Sequence, residues 1–386
     1  MAPLVSIVRC DSYDESLVES SVSEALASIG GIGKYVKKGD KVLLKINLLS
    51  ASTPEKAITT HPSIVKAMVK QVQSAGGIPI IGDSPGGPFT HGMLESAYKK
   101  SGMSGVAQET GAILNYNTES KQVSNPNGRL VKKLDIISLL DDVDVVISLP
   151  KLKTHMLTKF TGATKILFGV VPGLTKPAYH LKYAEIDMFC DMLLDILEYV
   201  KPAFSLMDGV VGIEGDGPGA SGTPKQAGII LASQDSVALD VVATSIIGMK
   251  ADEVPIIKRA IVRGLTTGNL SDINVIGAKA DDVKVKFRQP ATGKGITKVL
   301  SNNGVRSLLM RFTLPYPFAT SKCVRCGICK QNCPAGAITI KGKAHMNMGK
   351  CIRCYCCHEL CPYKAIELKS HFGWLGRLRG KAGKNH

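Results

Sequence analysis

The sequence predicts an α/β protein: a doubly wound, largely parallel sheet domain followed by a small α+β module. Three observations predict it. Apolar strand-like runs alternate with amphipathic helical stretches through the first 315 residues. Nine of the eleven cysteines lie beyond that point. The charge divides at the same place: of a formal +16, the segment from 316 onward holds +11, with 13 Lys/Arg against Glu359 and Glu367. At 386 residues the chain is also longer than the ~250–300 at which a single core stops growing. The expected units are an α/β domain over 1–310, a linker over 311–322, the cysteine module over 323–370 and a basic tail over 371–386.

Strand-like runs fall at 4–8, 42–46, 78–81, 143–149, 204–207 and 228–231. The first helix, 14–29, shows a stripe of Leu17, Val18, Val22, Ala25, Leu26 and Ile29. The second, 61–75, shows Ile64, Val65, Met68, Val69 and Val72. Pro62 suits a first helical position, and Gly76-Gly77 close the helix. Continuously apolar strands with helices between them argue for a parallel sheet covered on both faces. Segments 121–135 and 268–294 stand out as small lobes.

Ligands of such sheets bind beyond the carboxyl ends of the strands. Four of those ends carry polar or charged groups. One ends in Lys45 and leads to His61 at a helix start; the next ends in Asp83 within "GDSPGG". A third runs into Lys151, Lys153 and His155, followed by a long Gly/Thr/Lys-patterned loop with Lys165. A fourth ends in Asp208 and "GIEGDGPG". The cations suit an anionic substrate or cofactor, and Asp83 or Asp208 suits a proton donor or metal ligand. Each group also has a structural reading: strand cap, helix cap, turn residue or solvated charge. No Walker lysine or dinucleotide fingerprint is present, so the glycine-rich loop is not read as a nucleotide site.

In the second module, "CVRCGICKQNCP" and "CIRCYCCHELCP" repeat at an offset of 28 residues, and "CPAGAITIK" aligns with "CPYKAIELK". Three cysteines at two-residue intervals on a tight loop point at one iron–sulfur cube, and the cysteine before proline ligates the other cube. The crossing assigns Cys323, Cys326, Cys329 and Cys361 to one [4Fe–4S] cluster, and Cys351, Cys354, Cys357 and Cys333 to the other. Cys356 is left over, read as a small residue facing away from iron. Zinc favours separated pairs rather than interleaved quartets. The segment resembles a bacterial-type two-cluster ferredoxin, which makes the module ferredoxin-like. Its flanking Lys322, Arg325, Lys330, Lys350 and Arg353 suit an acidic electron-transfer protein as partner.

In the first domain, "KINLL", "TTHP", "GDSPGG", "SLPKLKTH", "TGATKILFGVVPG", "MDGVVGIEGDGPG" and "SQDSVALD" resemble the family called domain of unknown function 362, often fused to such a ferredoxin. "KINLL" departs from that family's more usual K-P-N. A more distant likeness to nickel-dependent lactate racemase-type proteins rests on no motif. The resemblance implies no specific reaction.

No apolar run reaches the ~18–20 residues of a membrane span, and the start lacks an export signal, so a cytoplasmic location is expected. Pro315 and Pro317 mark the linker, docked through Phe312, Tyr316 and Phe318. The tail carries Trp374 among basic residues, but three glycines argue against a membrane-surface helix. No nucleic-acid partner is expected, and the oligomeric state is not legible. The leading function is a ferredoxin-coupled oxidoreductase relaying electrons to an anionic small molecule at the sheet edge, with room for a further, unidentified cofactor. The alternatives are a non-enzymatic electron carrier or adaptor, and a non-redox or metal-handling enzyme whose clusters are structural.

Overall fold

Alternate residues along the strands face two different helical layers, and this sets the architecture. The computed structural model describes residues 2–291 and 314–369. Its large sheet contains β1 (Leu4–Arg9), β2 (Lys41–Ile46), β3 (Ile78–Gly82), β4 (Ile113–Leu114), β7 (Val145–Leu149), β8 (Lys151–His155), β9 (Lys159–Phe160), β10 (Phe204–Gly215), β11 (Gly222–Ser233) and β12 (Asn274–Gly277). The spatial order is β12-β1-β11-β10-β7-β2-β3-β4, with β8 pairing β10 and β9 pairing β8. Neighbours from β10 through β4 run parallel, while β11 is antiparallel to both β1 and β10. The largely parallel α/β domain expected from the sequence is therefore present, with an antiparallel hairpin built into it.

Val42, Leu44 and Ile46 of β2 pack against α1 (Glu15–Ser28) and α2 (Pro62–Ser74), together with α3 (His91–Ser101) and α4 (Met103–Thr110). Val5, Ile7, Met207 and Leu231 face the other way, onto the later helices. That second layer holds α5 (Gly162–Ile166), α6 (Thr175–Lys182), α7 (Ile186–Val200), α8 (Ser236–Ile246) and α9 (Pro255–Val262). Each fully buried Val, Leu or Ile contributes about 1.5–3 kcal/mol, so these two faces dominate the stability of the sheet. The segment near 121–135 forms a two-stranded sheet of its own, β5 (Ser120–Ser124) with β6 (Lys133–Ile137).

Several expectations need correction. The strands read at 204–207 and 228–231 are halves of a twelve-residue-per-strand hairpin, β10–β11. Its ends continue past the sheet because Gly215 and Gly222 close it beside β8. Lys151–His155, read as the polar exit of the preceding strand, is a strand of its own, β8, buried along its length. Segment 268–294 is no separate lobe where it is described: β12 extends the large sheet beside β1. The supposed linker is part of the second module, because β13 (Tyr316–Ala319) pairs antiparallel with β16 (Ile366–Lys369). Phe312 and the tail 371–386 lie outside the described residues.

The second module keeps its duplication in three dimensions. It adds α10 (Ile328–Gln331), β14 (Ile338–Lys341), β15 (Lys343–Met346) and α11 (Cys356–Glu359). Arg325 and Arg353, 28 residues apart, are both left-handed, as are Gly327 and Tyr355. Tyr355 tolerates this conformation while its hydroxyl donates to the Pro315 carbonyl at 3.0 Å.

Candidate functional site at the junction of the modules

The eight sequence-derived candidates of the α/β domain separate into two groups. Lys151, Asp208 and His61 form an internal network around Tyr13. The Lys151 ammonium donates to Asp208 Oδ2 at 2.8 Å and to the Tyr13 hydroxyl at 2.6 Å. That hydroxyl donates to Asp208 Oδ1 at 2.9 Å, and the His61 N–H donates to Asp208 Oδ2 at 2.9 Å. His61 caps α2, its Nδ1 accepting from the Ser63 N–H at 3.3 Å, and its ring stacks on Tyr13 at 3.5 Å. Burial lowers the His61 pKa to about 4, so the ring is neutral. This group ties β8 and β10 to the start of α2 and lines no cavity identified at the sheet edge.

Asp83, Lys153 and Lys165 come together in a cavity of about 720 Å³, part of it open to solvent. Lys45 stands behind Asp83, with Nζ 2.9 Å from Oδ1, while Asp83 Oδ2 accepts from the Leu48 N–H at 2.7 Å. Burial pushes the Lys45 amine down and the Asp83 carboxyl up, and each partner offsets that push. A Cβ on Gly169 would lie 2.2 Å from Asp83 Oδ1, so only glycine fits over this pair. Lys153 donates to Asn47 Oδ1 and to the Ile58 carbonyl, and burial lowers its pKa to about 7.

Lys165 is different. It is 8% exposed and lines the cavity, and its amine has no hydrogen-bond or ion-pair partner among the described residues; it lies 5.9 Å from the centre of the Phe168 ring, and burial lowers its pKa while Glu359 acts against that shift. Helix α5 holds it there. Asp240 of α8 accepts from the N–H groups of Ala163 and Thr164 at 2.6 and 3.0 Å, capping α5. Gly162 turns left-handed in front of that carboxylate, where a Cβ would lie 2.1 Å from it. The motifs "TGATK" and "SQDSVALD" are thus two sides of one contact.

Two cavity residues escaped the sequence reading. Lys176 of α6 donates to the Ser84 carbonyl and hydroxyl at 2.8 and 2.9 Å, and burial lowers its pKa to about 7. His180 stacks on Phe189 at 4.3 Å, and burial lowers its pKa to about 3. Both sit in the loop whose Gly/Thr/Lys pattern was the one available signal.

The remaining wall comes from the cysteine module: Asn332, Cys356, Glu359 and Leu360. Glycines allow that approach. A Cβ on Gly86 would lie 2.5 Å from Leu360 Cδ2, and one on Gly219 would lie 2.2 Å from the Glu359 carbonyl oxygen. His358 of α11 bridges strand β16 of its own module and the opposite loop, with Nδ1 2.7 Å from the Ile366 carbonyl and Nε2 3.3 Å from the Asp216 carbonyl. His155, predicted as a cation, is neutral: burial holds its pKa well below the usual value, and Nδ1 accepts from the N–H groups of Leu157 and Thr158. Its Nε2 faces Glu359 Oε2 at 3.6 Å. Helix α11 therefore closes the carboxyl edge of the sheet.

The nine cysteines of the module surround two chambers. Cys323, Cys326, Cys329 and Cys361 line one of about 330 Å³. Cys333, Cys351, Cys354 and Cys357 line the other, of about 360 Å³, together with Cys356. Among the described residues no group of three or more His, Cys, Asp or Glu closes on a single ion; each quartet lines a space of its own. Both crossing sulfurs accept a backbone N–H, Cys333 from Ala337 at 3.2 Å and Cys361 from Ala365 at 3.3 Å, the same contact repeated in each half. The residues present fit an iron–sulfur cage.

The family described as "Domain of unknown function (DUF362)" matches residues 42–245, which include nearly every α/β wall of the cavity. The chain belongs to that family. Its DUF362 domain is followed by a match to the "4Fe-4S binding domain" at residues 316–339, so the protein is an iron–sulfur protein. A thylakoid-associated protein of Synechocystis sp. is 36% identical over 263 residues, covering 66% of this chain and 78% of that protein. The lactate racemase apoprotein of Thermoanaerobacterium thermosaccharolyticum overlays with a TM-score of 0.40 at 16% identity, over 64% of this chain and 58% of that one. At that score the likeness carries no chemistry across. Among the described residues of the DUF362 protein, no helix is long and apolar enough to cross a membrane.

Proposed function

We propose that this DUF362 protein is an oxidoreductase that passes electrons to a small organic anion held between its two modules. The observation that carries this reading is Lys165, a buried amine with no hydrogen-bond or ion-pair partner among the described residues, lining a cavity that the cysteine module helps to close. An unpaired buried cation costs several kcal/mol, and a bound carboxylate or similar anion removes that cost. Lys153 and Lys176 add adjustable positive charge, because each titrates near neutral pH. Phe168, Ile166 and Leu360 supply apolar walls for the body of such a ligand. Asp83 lines the same cavity with a carboxyl raised by burial, and is the nearest candidate proton donor.

Two quartets would hold two [4Fe–4S] clusters: Cys323, Cys326, Cys329 and Cys361, and Cys351, Cys354, Cys357 and Cys333. When bound, such clusters supply one-electron reduction. The far side of the module suits the entry of electrons. Cys326 is exposed there, next to Val324 and Tyr363, which are 52% and 49% exposed. Exposed Lys322, Arg325, Lys330 and Lys364 surround them. An acidic one-electron carrier is the partner this face fits.

A non-enzymatic adaptor would need no enclosed ligand cavity, which favours the oxidoreductase reading. Anaerobic purification with iron and sulfide counts, plus mass spectrometry of co-purifying small molecules, tests it. About eight irons and one organic acid per chain are expected. A Lys165→Met variant should keep the iron and lose the acid. Four irons, zinc, or an acid retained equally by the variant would overturn the reading.

A further inference from the structure

We infer that Cys356 is a contact for the anion in the junction cavity rather than an iron ligand, so that the ligand rests against the second quartet and not the first. This deepens the reading above and rests on it. Cys356 lines both the chamber of Cys333, Cys351, Cys354 and Cys357 and the cavity of Lys165, a position shared only by Asn332 among the residues around those two spaces. Its neighbour Cys357 is a member of the quartet; one residue of backbone separates the two spaces.

The internal duplication supplies a control. At the offset of 28 residues, Cys356 stands where the first repeat has Ile328. An aliphatic side chain therefore satisfies the same helical position in the half whose helix α10 does not face the cavity. Glu359, which also faces the cavity, stands where the first repeat has Gln331. The two halves thus differ at the two α11 side chains turned toward the ligand. Iron ligation alone gives no reason for either difference, since each quartet is complete without Cys356.

The second observation is Lys165 itself. It is buried, has no hydrogen-bond or ion-pair partner among the described residues, and lines the same cavity from the α/β side. An anion bound to Lys165 is therefore presented to a soft sulfur wall on its other side. Glu359 sits on the same wall and repels a second negative group, which favours a ligand with one anionic end and an uncharged remainder.

Iodoacetate, a small anion with one reactive carbon, probes this in the anaerobic, iron-loaded full chain. Alkylation forms an S–CH2 bond at Cys356, expels iodide and releases the thiol proton to solvent. Peptide mapping should place one carboxymethyl group on Cys356 with the iron content unchanged. Iodoacetate should react roughly tenfold or more faster than neutral iodoacetamide, because the cationic wall concentrates anions. Lys165→Met should abolish that preference. Cys356→Ile, which borrows the residue of the first repeat, should keep all the iron and weaken retention of the co-purifying acid. A halved iron count in Cys356→Ile would make Cys356 a ligand and overturn the inference. So would equal rates for the two reagents, or undiminished acid retention in that variant. Failure of the functional reading is separate: the wild-type chain would then retain no acid at all.

Discussion

Asp208 shows what a buried carboxylate does in this sheet. It accepts from Lys151, Tyr13 and the His61 N–H, and so holds three chain segments together. Replacing it with Ala leaves the Lys151 ammonium buried without its counter-charge, at a cost of about 3–5 kcal/mol. Urea unfolding should show that loss, and the paired change Lys151→Met with Asp208→Leu should recover most of it. A loss confined to the single variant separates a structural pair from a catalytic one. His180 makes a pH prediction. Its native pKa is lowered to about 3 from 6.5 by burial, so the unfolded chain binds a proton that the folded chain refuses. Stability is then unaffected by this residue above about pH 6.5 and declines as pH falls from there toward 3, by about 2 kcal/mol at pH 5. His180→Phe keeps the stacking on Phe189 and should flatten the drop in melting temperature between pH 7 and pH 5. An unchanged slope would mean the ring is protonated in the folded state.

The junction is built by two elements that meet backbone to backbone, the loop ending at Gly219 and helix α11. Because a Cβ on Gly219 meets the Glu359 carbonyl at 2.2 Å, Gly219→Ala should push the helix away without harming either fold. Hydrogen exchange should rise at 356–360 and at 84–87, with iron retained and ligand retention reduced; unchanged exchange would contradict the tight contact. Elements of this kind were only partly legible in the sequence. The apolar runs ending at Ile46 and Leu149 declared themselves as strands, as did the stripes of α1 and α2, because one face of each is uniformly apolar. Strand β8 did not. Its Lys151 and Lys153 read as anion-attracting charges at a strand exit, and only the carboxylate and amide partners contributed by distant segments show them as buried, partnered side chains. The glycines of "GDSPGG" and "GIEGDGPG" were visible as motifs, but that Gly86 and Gly219 let the other module approach was not. The cysteine repeat was the most legible signal, since its spacing is local and duplicated, and the match to the 4Fe-4S binding domain falls on its first half. Lys176, His180 and Glu359 were missed because the cavity exists only after long-range assembly of both modules.

Across the whole molecule the charge is directional. The basic excess beyond residue 315 includes exposed Lys322, Arg325, Lys330 and Lys364, close in sequence to Cys323, Cys326, Cys329 and Cys361. Reduction by an acidic one-electron carrier should therefore slow as salt rises, most steeply once the Debye length drops below ~10 Å near 0.1 M. Arg325→Glu with Lys330→Glu should lower the low-salt rate and leave the high-salt rate nearly unchanged in stopped-flow measurements. A salt-independent rate would place the entry of electrons elsewhere. The position of α11 has a last consequence. Cysteines from both repeats surround its chamber, so on the proposed reading loss of the metal would free the helix that roofs the junction cavity. Iron starvation or oxygen damage would then disarm the proposed ligand capture along with the electron supply, making the cofactor its own safety catch.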